Sequence, residues 1–168
     1  VGAFRVVLTP WRYRYIVSGE SRRGCFLCEY IGRPEADRDN LVFFRGRYSI
    51  GLLNKYPYMW GHVMVAPYRH VGDLEELDDE ELAGLLREAF LVKNAVVAAA
   101  GCGDVLVGIN VGRAAGAGVE SHLHIHIIPR CREIAPDTPQ EELDEMLRRY
   151  RDELARLWSP GGLSGQAP

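Results

Sequence analysis

Glu120–Arg130 reads ESHLHIHIIPR and places three of the chain's five histidines, His122, His124 and His126, at every second position. The run is rich in β-branched residues and alternates in character, as a β-strand does. In a strand, side chains two apart share a face, about 7 Å from each other at a rise of ~3.3 Å per residue. The three imidazoles are therefore expected on one face, with Leu123, Ile125 and Ile127 packed on the other and Pro129 ending the ladder. A line of this kind has three readings: a surface stripe, one metal held by all three rings, or a catalytic row.

With 168 residues, 47% of them hydrophobic and 26% charged, the chain is expected to form one soluble domain with a real core. The net charge of −3 disfavours a basic nucleic-acid surface. No apolar run approaches the ~20 residues that span a bilayer. The stretch VGAFRVVLTPWRYRY lacks a signal-peptide pattern, so the expected location is cytoplasmic. Of 20 basic residues only Lys55 and Lys93 are lysine, a bias that fits a thermophilic source or a GC-rich genome equally. The four cysteines follow no disulfide framework. Cys25 and Cys28, in Cys-x-x-Cys spacing, read as a metal site, a redox pair or a buried pair. Cys102 and Cys131 read as ordinary small core or boundary residues.

Residues 1–24 form an arm rich in Arg and aromatics, and residues 25–135 form the body. Residues 136–158 add a C-terminal helix to the same domain, and the tail 159–168 is expected to be disordered. Tyr30–Asn40 reads as a polar loop. Strands are expected at Leu41–Arg45, Tyr48–Asn54, His62–Pro67, Asp104–Gly112 and the histidine run. Asp78 and Glu81 form a capping box for a helix over Leu82–Ala99 that Gly101 stops, with Leu82, Leu85, Leu86 and Phe90 at helical spacing. Thr138 and Glu141 form a second box, with Pro139 at the first helical position. Leu143, Met146, Leu147, Tyr150, Leu154 and Leu157 make the stripe of that helix. Hairpin-linked strands with helices set between them predict an α+β domain on an antiparallel sheet.

HLHIHII (His122–Ile128) fits the pattern His-φ-His-φ-His-φ-φ, with φ apolar, at every position. Asn54, Pro57, Gly61 and His62 fall in an N…P…GH stretch. On these residues the chain resembles the histidine triad family over about Cys25–Arg130. LTPWRYRYI, YPYMWGHVMVAPYRH and NVGRAAGAGVESHLHIH resemble more closely its diadenosine tetraphosphate phosphorylase branch. Better-known branches carry Gly-Gln-Ser/Thr before the first histidine; Ala117 and Gly118 stand there instead, so a glutamine contact to phosphate is missing.

The resemblance implies a histidine-triad-like five-stranded antiparallel sheet with a central and a C-terminal helix, and a homodimer through that central helix and a sheet edge. It makes His124 the nucleophile, His126 and His62 hydrogen-bonding partners of the phosphate or leaving group, and Asn54 a ribose ligand. Neutral imidazole can attack phosphorus and split one hard displacement into two easier ones. Free imidazole titrates near pH ~6.5, which leaves a neutral fraction in the cytosol. The Gly112–Gly118 loop tolerates dihedrals that bring backbone N–H groups to phosphate, though a plain tight turn reads as well. Asn110, Gly116, Gly118 and Ser121 are the accompanying substrate-binding candidates, and Asn54 also reads as a strand-ending turn cap.

In zinc-containing relatives, cysteines matching Cys25 and Cys28 are joined by histidines matching His70 and His122. Cys₂His₂ is a good tetrahedral set, so a structural zinc is expected, with a metal-free or oxidised Cys25–Cys28 pair as the alternative. The expected activity is cleavage of dinucleoside polyphosphates at the α-phosphorus through a nucleotidyl-histidine, with phosphate as acceptor. The alternative is hydrolysis of dinucleoside polyphosphates or nucleoside phosphoramidates. Adenine nucleotides are the expected ligands; neither a membrane nor a nucleic acid is an expected partner.

Overall fold

The computed structural model describes residues 24–112, 115–133 and 139–158. The aromatic arm, Thr138 and the tail lie outside the described residues.

Local chemistry sets the long helix. Asp78 accepts from Glu81 N–H, and the Glu81 side chain returns to Asp78 N–H, so α2 starts at Asp79 and runs to Ala100. Gly101, at φ +61°, ends it. This start precedes the expected Leu82 because the acidic first turn, Asp79–Glu81, carries no apolar residue to reveal it. The buried stripe runs through Leu85, Ala89, Val92 and Val96, while Leu86 and Phe90 lie on the flank, 40% and 53% exposed. Those two share the helical spacing of Leu82 and Leu85 yet stay outside the stripe, because a helix lying on one sheet buries a single stripe.

A short helix, α1 (Phe26–Ile31), occupies a stretch in which the sequence showed no helix. Six residues are too few for a helical period to show. Arg45 fixes it: the guanidinium pairs with Asp37 and donates to the carbonyls of Tyr30 and Ile31 at the helix end.

The strands are β1 (Val42–Arg45), β2 (Ser49–Leu53), β3 (Val63–Pro67), β4 (Val105–Ile109) and β5 (Ile125–Pro129). They form one sheet in the order β1-β2-β3-β5-β4, antiparallel throughout. With α2 and the C-terminal α3 (Gln140–Leu157), this is the expected α+β architecture. Val63, Val65, Leu123, Ile125 and Ile127 pack on one face against α2 and Met146, Leu147, Tyr150 and Leu154 of α3. The other face carries Ile50, Leu52, Met64 and Ala66, covered by Leu27 of α1.

Three local expectations are corrected. β5 begins at Ile125, so His122 and His124 precede the strand. Leu123 N–H donates to Val71 O at 2.6 Å, drawing this segment from the ladder toward the loop after β3. The alternation nevertheless survives, since Leu123, Ile125 and Ile127 share the core. Pro139 is the N-cap of α3 rather than its first helical residue, with extended backbone and no side-chain cap. Cys102 and Cys131 are joined by a disulfide, Cα–Cα 5.9 Å, between the end of α2 and the segment after β5.

Candidate active site

Gly61 opens the site. At φ +81° it turns the chain into β3, and its carbonyl accepts from Tyr150 Oη at 3.0 Å. His62 follows, 1% exposed. Tyr58 N–H donates to His62 Nδ1 at 3.1 Å, and the Tyr58 ring stacks on the imidazole at 5.2 Å. His62 Nδ1 is therefore an acceptor and its proton sits on Nε2. That nitrogen lies 2.9 Å from His126 Nδ1, which must accept, so His126 carries its own proton on Nε2. Asn110 Nδ2 is 3.3 Å from this Nε2; two donors cannot pair, so the amide turned over, with Oδ1 inward, is the arrangement that fits.

His124 is set differently. Its Nδ1 lies 2.8 Å from His122 O, a carbonyl that can only accept. In the neutral ring Nδ1 then holds the proton and Nε2 the lone pair. The His124 and His126 rings meet edge to face at 4.8 Å. One imidazole thus offers a lone pair and its neighbour an N–H, which is what attack on phosphorus with protonation of a leaving group requires.

Both rings line a cavity of about 220 Å³ with Asn54, Lys55, Phe26 and Tyr30. His62 is absent from this wall; it stands behind His126, with its Nε2 against His126 Nδ1. Asn54 Oδ1 accepts from Tyr56 N–H at 2.8 Å, so it caps a turn as well as lining the cavity. Gly118 lies in the wall, and Gly116, at φ +93°, is close to Asn110 and Tyr58. Ser121 is exposed beside Gly72 and forms no part of the wall. Tyr58 escaped the sequence reading, although an aromatic residue inside the Pro57–His62 stretch was a visible signal.

Cys25, Cys28, His70 and His122 come together beside this cavity, with one ligand atom from each within 4.8 Å of all the others. His122 Nδ1 is 3.1 Å from Cys25 Sγ and 3.5 Å from Cys28 Sγ; His70 Nδ1 is 3.1 Å from Cys28 Sγ. Tetrahedral zinc with these donors would space them by about 3.3–3.8 Å. His122 Nε2 donates to Pro67 O at 2.9 Å, which leaves the Nδ1 lone pair toward the sulfurs, as outer-shell support of a metal ligand requires. Burial holds the His122 pKa below its ordinary value, which keeps the ring neutral. The group can hold a metal ion.

Fold and site together define a histidine triad protein. Residues 35–133 match the HIT domain family, and the chain belongs to that family. It is 33% identical over 164 residues to the AP-4-A phosphorylase of Mycobacterium tuberculosis, covering 90% of this chain and 83% of that one. It is 36% identical over 120 residues to an asymmetrical bis(5'-nucleosyl)-tetraphosphatase of Schizosaccharomyces pombe, covering 71% and 64%. A hypothetical histidine triad nucleotide-binding protein of Sulfolobus tokodaii superposes with TM-score 0.71 at 25% identity, covering 85% of this chain and all of that one. The two named relatives are nucleotide enzymes of the family.

Proposed function

We propose that the chain is a nucleotidyl transferase that cleaves dinucleoside polyphosphates of the diadenosine tetraphosphate type at the α-phosphorus. The observation that carries this is that His124 and His126 line one cavity with His124 Nδ1 2.8 Å from His122 O and His126 Nδ1 2.9 Å from His62 Nε2, contacts that assign a lone pair to His124 Nε2 and a proton to His126 Nε2. His124 Nε2 attacks, the phosphoanhydride bond breaks, and His126 Nε2–H protonates the leaving nucleotide. An acceptor then displaces the nucleotidyl group from His124. Phosphate is the proposed acceptor, in keeping with similarity to a relative named a phosphorylase over 90% of the chain. Hydrolysis is the second reading, favoured by the relative named a tetraphosphatase.

The four-residue group would hold one structural zinc, linking α1 to the segment that carries His124 and contributing folding free energy. Exposed Leu86 and Phe90 on α2, with Leu106 and Val107 on the edge strand β4, provide apolar surface for a homodimer. Among the described residues no helix is long and apolar enough to cross a membrane, and a cytoplasmic setting suits nucleotide chemistry.

Incubation with diadenosine tetraphosphate, with and without phosphate, tests the activity. ADP plus ATP means phosphorolysis, and AMP plus ATP means hydrolysis. No turnover would overturn the proposal and turn attention to nucleoside phosphoramidates.

A further inference from the structure

Lys55 is one of two lysines beside eighteen arginines, and it follows Asn54 in the connection from β2 to β3. It is exposed, with Nζ 5.6 Å above the ring of Tyr30, another residue of the cavity wall. Among the described residues of that wall, Lys55 alone carries a fixed charge; Leu52, Leu53, Met64 and Phe26 are apolar and Asn54 is neutral. His126 is neutral in the arrangement derived above, because its Nδ1 accepts from His62. A polyphosphate brings several negative charges to this cavity, and among the described residues of its wall Lys55 is the fixed counter-charge.

We propose that Lys55 binds phosphate groups beyond the α-phosphate of a bound nucleotide, an inference that rests on the nucleotide reading above. The side chain suits the task. An ammonium on a flexible stem is a point charge with three rotatable donors, able to follow a mobile phosphate where a guanidinium fork would impose one geometry. Resting over Tyr30, at an exposed rim, it is held weakly enough to turn toward an anion. Two sources supply such a phosphate: the leaving half of the substrate, or the acceptor phosphate of the second step.

The test is equilibrium binding to the full chain and to its Lys55→Met and Lys55→Arg variants. The probes are AMP, adenosine 5'-tetraphosphate, and AMP with added inorganic phosphate. If Lys55 serves the leaving half, the wild type prefers tetraphosphate over AMP, Lys55→Met loses about five- to tenfold of that preference, and Lys55→Arg keeps most of it. If it serves the acceptor, added phosphate tightens AMP binding in the wild type and not in Lys55→Met. AMP affinity alone stays the same in all three. Equal weakening of AMP and tetraphosphate, retention of every preference by Lys55→Met, or no phosphate preference in the wild type overturns the assignment. Binding is read without turnover, so a wrong catalytic reading shows up separately, as absent product with these affinity differences intact.

Discussion

His62 Nε2 stands 2.9 Å from His126 Nδ1, and the proton between them belongs to His62 because Tyr58 N–H already occupies the other His62 nitrogen. A backbone amide outside the catalytic row therefore dictates which His126 nitrogen meets the substrate.

Replacing His126 by Ala removes the proton donor and should slow turnover by ~10²–10⁴-fold with nucleotide affinity little changed. His62→Ala should act through kcat as well, since His62 does not line the cavity but orients His126. Single-turnover kinetics with separately measured nucleotide affinity check both. A His62→Ala enzyme with wild-type kcat would remove the relay from the mechanism.

About one zinc per chain is expected by metal analysis of protein purified without chelator. Cys25→Ser should lower thermal stability far more than it alters the chemistry, because a structural site supplies folding free energy directly. Zinc-free protein that melts at the same temperature as zinc-loaded protein would contradict this.

The five strands and the caps of α2 were legible because a strand period and a reciprocal capping pair are local signals. The histidine spacing was legible as well, although Leu123 bonds Val71 and so delays the strand to Ile125. What escaped was tertiary. The six-residue α1 has no period, yet Arg45 and Asp37 hold it at its end. Glu88, which no motif singles out, is 5% exposed, accepting from Ser49 Oγ and from Arg47 and Tyr48 N–H across the β1–β2 turn. His62 stands behind His126 with Tyr58 N–H on its Nδ1, and no spacing rule encodes that.

The Cys102–Cys131 bond closes a loop across 29 positions, so its loss in Cys131→Ser should cost about 2–4 kcal/mol of stability. Thiol titration of unfolded, unreduced, metal-free protein should find Cys25 and Cys28 alone. Four free thiols would contradict the bond. Such bonds persist in intracellular proteins of hyperthermophiles, one of the two sources that the arginine-rich composition fits.

Gly61→Ala should destabilise by about 2–4 kcal/mol, since φ is +81° and an added Cβ would run into Tyr150 Oη. Tyr150→Phe alone loses one hydrogen bond, about 1 kcal/mol. If the clash is the cause, the double variant is more stable than the sum of the two single losses predicts. Strict additivity in denaturant unfolding would assign the whole effect to the backbone.

The central claim is that His124 Nε2 becomes covalently bonded to the nucleotide. The direct measurement is brief incubation with diadenosine tetraphosphate labelled at the α-phosphorus, followed by denaturation and tests of the protein-bound label. Wild type should carry an acid-labile, base-stable adduct, and His124→Ala should carry none while turning over at least ~10³-fold more slowly, a barrier increase of roughly 4 kcal/mol. A His124→Ala protein that turns over within tenfold of wild type would contradict the nucleotidyl-histidine mechanism.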